Sequence, residues 1–191
     1  MRTRRFIAAA ASAAALASTV LLAPAANADA GHEWTHRHHH ETTVVLNPKL
    51  APVLVNTLKV KPIAPARLTA PGGTAQLSFP ITSVDDDVIG HAGGLEFTPV
   101  GGGDLKLTRF DINLDTGLLD AKARLNGKRL HERVDLFALV AARPIGGSVP
   151  ACAGTSAGLT LTEAAAKALG APSFAGAFVG DACVVAPSED D

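Results

Sequence analysis

The chain has 191 residues, 47% hydrophobic, 4% aromatic and 18% charged, with 17 Lys+Arg against 18 Asp+Glu. That length sets one domain as the expectation, and the apolar share excludes a disordered chain. Near-balanced charge argues against nucleic acid as a partner, because phosphate binding needs a basic surface. The absence of Tyr excludes chemistry that needs a phenol.

Residues 1–30 read as a signal peptide. Arg2, Arg4 and Arg5 form a positive start, an Ala-rich apolar run extends from Phe6 to Leu22, and Pro24 breaks it. Ala26-Asn27-Ala28 and Ala28-Asp29-Ala30 both satisfy the small-x-small rule, so cleavage is expected after Ala30 or Ala28. Arg4-Arg5 raises the twin-arginine route beside the general one. Loss of Arg2, Arg4, Arg5 and Asp29 leaves 14 basic and 17 acidic residues, formally −3. No later apolar run is long enough to span a membrane, and no Cys ends the first one as a lipid anchor would require. The expected product is soluble, secreted and bacterial, and free of a membrane span.

Residues 31–41 form a polar, His-rich flexible tail without core-forming periodicity. A single β-rich domain is expected over 42–187, followed by an acidic tail at 188–191. Within the domain Thr42 to Leu46 suits a strand, and Asn47-Pro48 suits a helix start with Asn47 as cap. Val60 to Leu68, punctuated by Pro62 and Pro65, suits an edge strand. Pro71-Gly72-Gly73 is a turn and Gln76 to Ile81 a strand. Leu95 and Phe97 alternate with polar neighbours. Leu105 and Leu107 are odd while Phe110, Ile112 and Leu114 are even, and a bulge near Thr108-Arg109 would restore one buried face.

Leu119, Ala121, Ala123 and Leu125 alternate with Asp120, Lys122 and Arg124, the clearest strand in the chain. Asn126-Gly127 supplies a two-residue hairpin turn. That turn sets Ala123 facing Leu130, Leu119 facing Val134 and Asp120 facing Arg133, but also Glu132 opposite Ala121. Leu136 to Ala142 continues as strand, and 144–158 reads as loop. Thr162-Glu163 opens a short helix that Gly170 stops, and Phe174 to Val185 returns to strand. Val45–Leu54 weakly echoes Thr160–Leu169, each a short strand entering a small helix. The expected architecture is mainly β: an antiparallel two-sheet sandwich or partly open barrel with one or two short helices.

Cys152 and Cys183 are the only cysteines and read as a disulfide in an oxidising compartment. His32-Glu33-Trp34-Thr35-His36 matches the metalloprotease pattern, but five His fall within residues 32–40, so the match is cheap. His32, His36, His38, His39 and His40 are the candidate metal ligands, suited to Cu²⁺, Ni²⁺ or Zn²⁺. Gly154-Thr155-Ser156-Ala157-Gly158 matches the hydrolase elbow. That fold needs a His after the Ser, and the last His is His131. Asp85-Asp86-Asp87 reads as a solvated turn, with Ca²⁺ the alternative. His91, in Gly90-His91-Ala92-Gly93-Gly94, is the candidate ligand-binding residue. The surrounding glycines suit a tight hairpin or the close approach of a ligand.

Gly90-His91-x-Gly93-Gly94-Leu95, the alternating strands after it and Gly117-Leu118-Leu119-Asp120-Ala121 resemble the HtaA-type domain of secreted haem-uptake proteins. The resemblance covers about residues 81–140. It implies a β-rich exported module with His91 at the position of the family's His near the haem. The family's Tyr haem ligand has no counterpart here.

The function expected from the sequence is an exported, non-catalytic extracellular or cell-envelope module with a binding or structural role. The alternative is a haem or Cu/Zn protein using His91 or the His-rich tail; the second is a secreted hydrolase. No cofactor is expected in the leading reading. Its partner would be an extracellular protein, a cell-wall component or a small ligand.

Overall fold

The computed structural model describes residues 40–143 and 152–187. In chain order the strands are β1 Glu41–Leu46, β2 Lys61–Ile63, β3 Arg67–Thr69, β4 Gln76–Asp85, β5 Val88–His91, β6 Gly94–Phe97 and β7 Leu105–Asn113. They continue with β8 Leu118–Leu125, β9 Lys128–Val140, β10 Thr155–Leu161, helix α1 Glu163–Ala168 and β11 Phe178–Val185. The strands close into an eight-stranded antiparallel barrel in the order β7–β5–β4–β1–β11–β10–β9–β8, with β8 returning to β7. The mainly β fold with short helices is the one read from the sequence. Between sandwich and partly open barrel, the sheet goes further and closes, because β1 lies between β4 and the last strand β11.

Closure follows from one-sided strands. Val44, Leu46, Leu77, Phe79, Ile89, Leu95, Phe97, Leu105, Leu107, Phe110, Ile112 and Leu119 are all buried, and a closed sheet gives all of them one interior without leaving an open edge. The outer positions of β7, β8 and β9 carry Lys106, Asp111, Asp120, Lys122, Arg124 and Arg133. On these three strands the outer face is charged, whereas the lipid-facing band of a membrane-spanning barrel is apolar. Among the described residues no helix is long and apolar enough to cross a membrane.

Two irregularities shape the wall. The parity change in β7 is a bulge, as expected: the β7–β8 register shifts between Thr108 and Asp111, and Arg109 takes φ +55°. The segment around His91 is not a hairpin. β5 and β6 both pair with β7 along the same edge, so the chain runs on through a kink at Ala92-Gly93. Gly93 has φ +87°, and a Cβ there would lie 2.6 Å from the Ala66 nitrogen, which explains the glycine. β2 and β3 fill the gap where β6 parts from β4, pairing with β6 and β4 respectively.

The Asn126-Gly127 turn holds, with Leu125 opposite Lys128 and Arg124 opposite Arg129. Beyond it the register departs from the regular one. Ala121 faces Val134, Lys122 faces Arg133 and Asp120 faces Asp135. A bulge in β9 absorbs Glu132 and leaves it exposed. The regular register would have set that carboxylate against the fully buried Ala121.

The echoed segments play related roles. Asn47 Oδ1 accepts the Lys49 N–H, and a helical turn follows over Val53–Thr57. Thr162 caps α1 by accepting the Ala165 N–H at 3.1 Å, and Gly170 ends it at φ +67°. Leu54 from the first segment, Leu58 shortly after it, and Leu169 from the second line the barrel interior.

Candidate functional site

The alternation of β5 places Ile89 and His91 inside the barrel, where His91 is only 5% exposed. Its Nδ1 lies 3.1 Å from the Phe110 carbonyl oxygen. A carbonyl can only accept, so Nδ1 carries the proton. Nε2 then has a lone pair, and the Thr42 hydroxyl, 2.7 Å away and 2% exposed, donates to it. Burial pushes the imidazole below its ordinary pKa of 6.5, against the opposing pull of the Phe110 carbonyl, the Asp111 charge and the Ile89 backbone. Above pH 6.5 His91 is therefore a neutral imidazole with both nitrogens occupied.

The β7 bulge makes this network possible. Phe110 has no partner in the ladders to β5, β6 or β8, so its carbonyl is free for the imidazole. The bulge lies opposite the Ala92-Gly93 kink, where the Arg109 N–H reaches the Gly93 carbonyl. Sequence reasoning found the bulge and His91 but missed Thr42. The signal was there: Thr42 shares parity with Val44 and Leu46, a polar group on a core face that needs a partner.

Around the network the interior is apolar. It retains a cavity of about 80 Å³ bounded by residues such as Val44, Leu77, Phe79, Phe97, Phe110 and Val179. Phe79 and Phe110 meet edge to face, with ring centroids 5.1 Å apart. Among the described residues the only polar side chains on the lining are Thr42 and His91, each engaged with the other.

No protein-family model matches the chain, and no curated protein matches it. Among solved structures the chain is similar to the heme binding protein HtaB from Corynebacterium glutamicum. The identity is 13% and the TM-score 0.48, over 75% of this chain and 90% of that one. A likeness so distant transfers no property to this chain.

The remaining sequence candidates are distributed as follows. Cys152 and Cys183 form a disulfide, with Cα atoms 5.5 Å apart, tying the segment before β10 to β11. It fits an oxidising compartment. His32, His36, His38 and His39 lie outside the described residues. His40 enters the sheet through its carbonyl, which accepts the Ile81 N–H. Among the described residues no three His, Cys, Asp or Glu gather as a metal site would require. Asp85 ends β4, and Asp86-Asp87 form the turn before β5; all three are exposed.

The hydrolase pattern is corrected. Thr155 to Gly158 belong to strand β10, with Ser156 opposite Cys183. The elbow needs a sharp strand-to-helix turn that lifts the Ser above the sheet. Gly158 is explained by packing, since a Cβ there would lie 2.8 Å from the Ala141 carbonyl oxygen.

Proposed function

We propose that the protein is an exported, non-catalytic binding module whose barrel takes a small apolar ligand in its interior. The mature part would comprise the His-rich tail of residues 31–41, the domain of 42–187 and the acidic tail of 188–191. One observation carries the proposal: a cavity of about 80 Å³ inside the barrel, with an apolar lining whose two polar side chains among the described residues satisfy each other. A dry void of that size costs about 2 kcal/mol in lost packing. A ligand that fills it recovers dispersion contacts without breaking a hydrogen bond. A larger engineered apolar cavity of about 150 Å³ stays dry and binds benzene or xenon. Export is supported by the signal-like start and the disulfide.

The test is thermal unfolding with xenon or benzene. Binding raises the midpoint by about 2–4 °C for each kcal/mol of ligand stabilisation. Val179→Ile, which adds one methyl at the cavity wall, should raise the midpoint alone and reduce the ligand effect. No shift with either ligand, together with destabilisation by Val179→Ile, would mean that the interior is full.

A second reading has its own observation. The Nδ1–H bond to a backbone carbonyl fixes the tautomer that leaves Nε2 for a metal, as in ligating histidines. Haem or a transition metal at His91 would have to displace Thr42, and a porphyrin would need the cavity to open widely. Haem titration separates the two: a Soret shift lost in His91→Ala favours the metal reading, and one insensitive to it removes His91 as the ligand.

A further inference from the structure

On the outside of the barrel the ladder sets like charges face to face. Lys106, Arg124 and Arg129 are direct neighbours across β7, β8 and β9, and Lys122 lies opposite Arg133. Such pairs repel, and two of these cations have carboxylate partners. Lys106 contacts Glu96 at 3.2 Å and Asp104 at 3.5 Å. Arg133 contacts Asp111 at 2.8 Å and also Asp120.

Lys122, Arg124 and Arg129 differ, and so does Arg109 at the bulge. Arg109, Lys122, Arg124 and Arg129, with Thr108, surround a surface recess of about 290 Å³. Among the described residues none of the four has a carboxylate within 4.0 Å. Arg109 stands at the β7 bulge with φ +55°, where glycine is the unstrained choice. Bulges re-aim side chains, and Arg109 lines the recess. The concentration of positive charge occurs in a chain whose formal net charge is −1.

We propose that this recess is a binding site for a phosphoryl group, a phosphomonoester or phosphodiester borne by a small solute or a lipid headgroup. Three guanidinium forks and one ammonium suit tetrahedral, multiply charged oxygens, and Arg in particular binds phosphate through paired hydrogen bonds. The Thr108 hydroxyl adds a neutral donor.

The test uses the full chain and glycerol 3-phosphate, followed by phosphorus NMR, with phosphatidylglycerol vesicles as the second arm. A saturable shift that survives physiological ionic strength is expected, weakened about tenfold by Arg109→Gly and by Arg124→Gln. Lys128→Gln, at the hairpin tip outside the recess, should leave it unchanged. Arg109→Gly suits the local backbone, so its circular dichroism should match the parent and loss of folding cannot mimic loss of binding. Arg109-dependent vesicle binding assigns the phosphoryl group to a headgroup; binding of glycerol 3-phosphate without vesicle binding assigns it to a solute. No saturable binding in either arm overturns the proposal. So does binding that Lys128→Gln weakens equally, or that added citrate displaces as well as phosphate does.

Discussion

Replacing Thr42 by Val tests the interior network with almost no change of shape. The substitution removes the hydroxyl that donates to His91 Nε2 at 2.7 Å and puts a methyl in its place. Because Thr42 is 2% exposed and His91 5%, water cannot readily take over the bond. An acceptor left unsatisfied in such a place costs about 1–3 kcal/mol, partly offset by the added methyl. The expected net loss is about 1–2 kcal/mol, seen as a lower urea midpoint with an unchanged slope. His91→Leu strands both the Thr42 hydroxyl and the Phe110 carbonyl, whereas the double variant strands only the carbonyl. Its loss should therefore fall short of the sum by about 1 kcal/mol or more. Far-ultraviolet circular dichroism is the suitable assay, since the chain has no Tyr and its one Trp, Trp34, lies outside the described barrel. Losses that add to within about 0.5 kcal/mol would show that the two side chains are not coupled and that the hydrogen bond is not a feature of the fold.

Further outcomes follow from the same structure. The unfolded chain takes up the His91 proton near 6.5 while the folded one does so only at lower pH, so the unfolded state binds more protons between the two values. Stability should be level above pH 6.5 with respect to this group and fall as pH drops below it, and His91→Leu should flatten that slope in denaturation series. Removing the disulfide through Cys152→Ser with Cys183→Ser, at a sequence separation of 31, should cost about 4 kcal/mol and lower the melting midpoint. Gly180→Ala should lower stability by about 1–3 kcal/mol, because its Cβ would collide with the Val45 carbonyl oxygen across the β1–β11 ladder. An unchanged midpoint in either variant would show that the corresponding constraint is absent.

Much of the wall was legible wherever a local rule governs it. The parity change from Leu107 to Phe110 marked the bulge, because a strand can keep one face buried across such a change only by inserting a residue. Asn126-Gly127 marked the hairpin because both residues tolerate positive φ, and they have +51° and +78°. The register beyond that turn was not legible. It depends on where β9 discards Glu132, a choice made by the buried surface it would otherwise meet. The glycines at 90–94 signalled close backbone approach correctly but suggested the wrong geometry. Two strands running on through a kink and two strands folding back both use glycine, and only the β7 pairing distinguishes them.

By itself the sequence determined a mainly β domain, its short capped helix, its single cysteine pair and a polar outer face. Each follows from periodicity, capping or composition within a few residues. Only the tertiary structure decided that the barrel closes, that Thr42, His91 and the Phe110 carbonyl meet, and that four cations share a recess. Each of these joins strands whose pairing is not written in their own sequence. Antiparallel strands with one apolar face can pair in many orders, and the order chosen is the one that buries every such face at once.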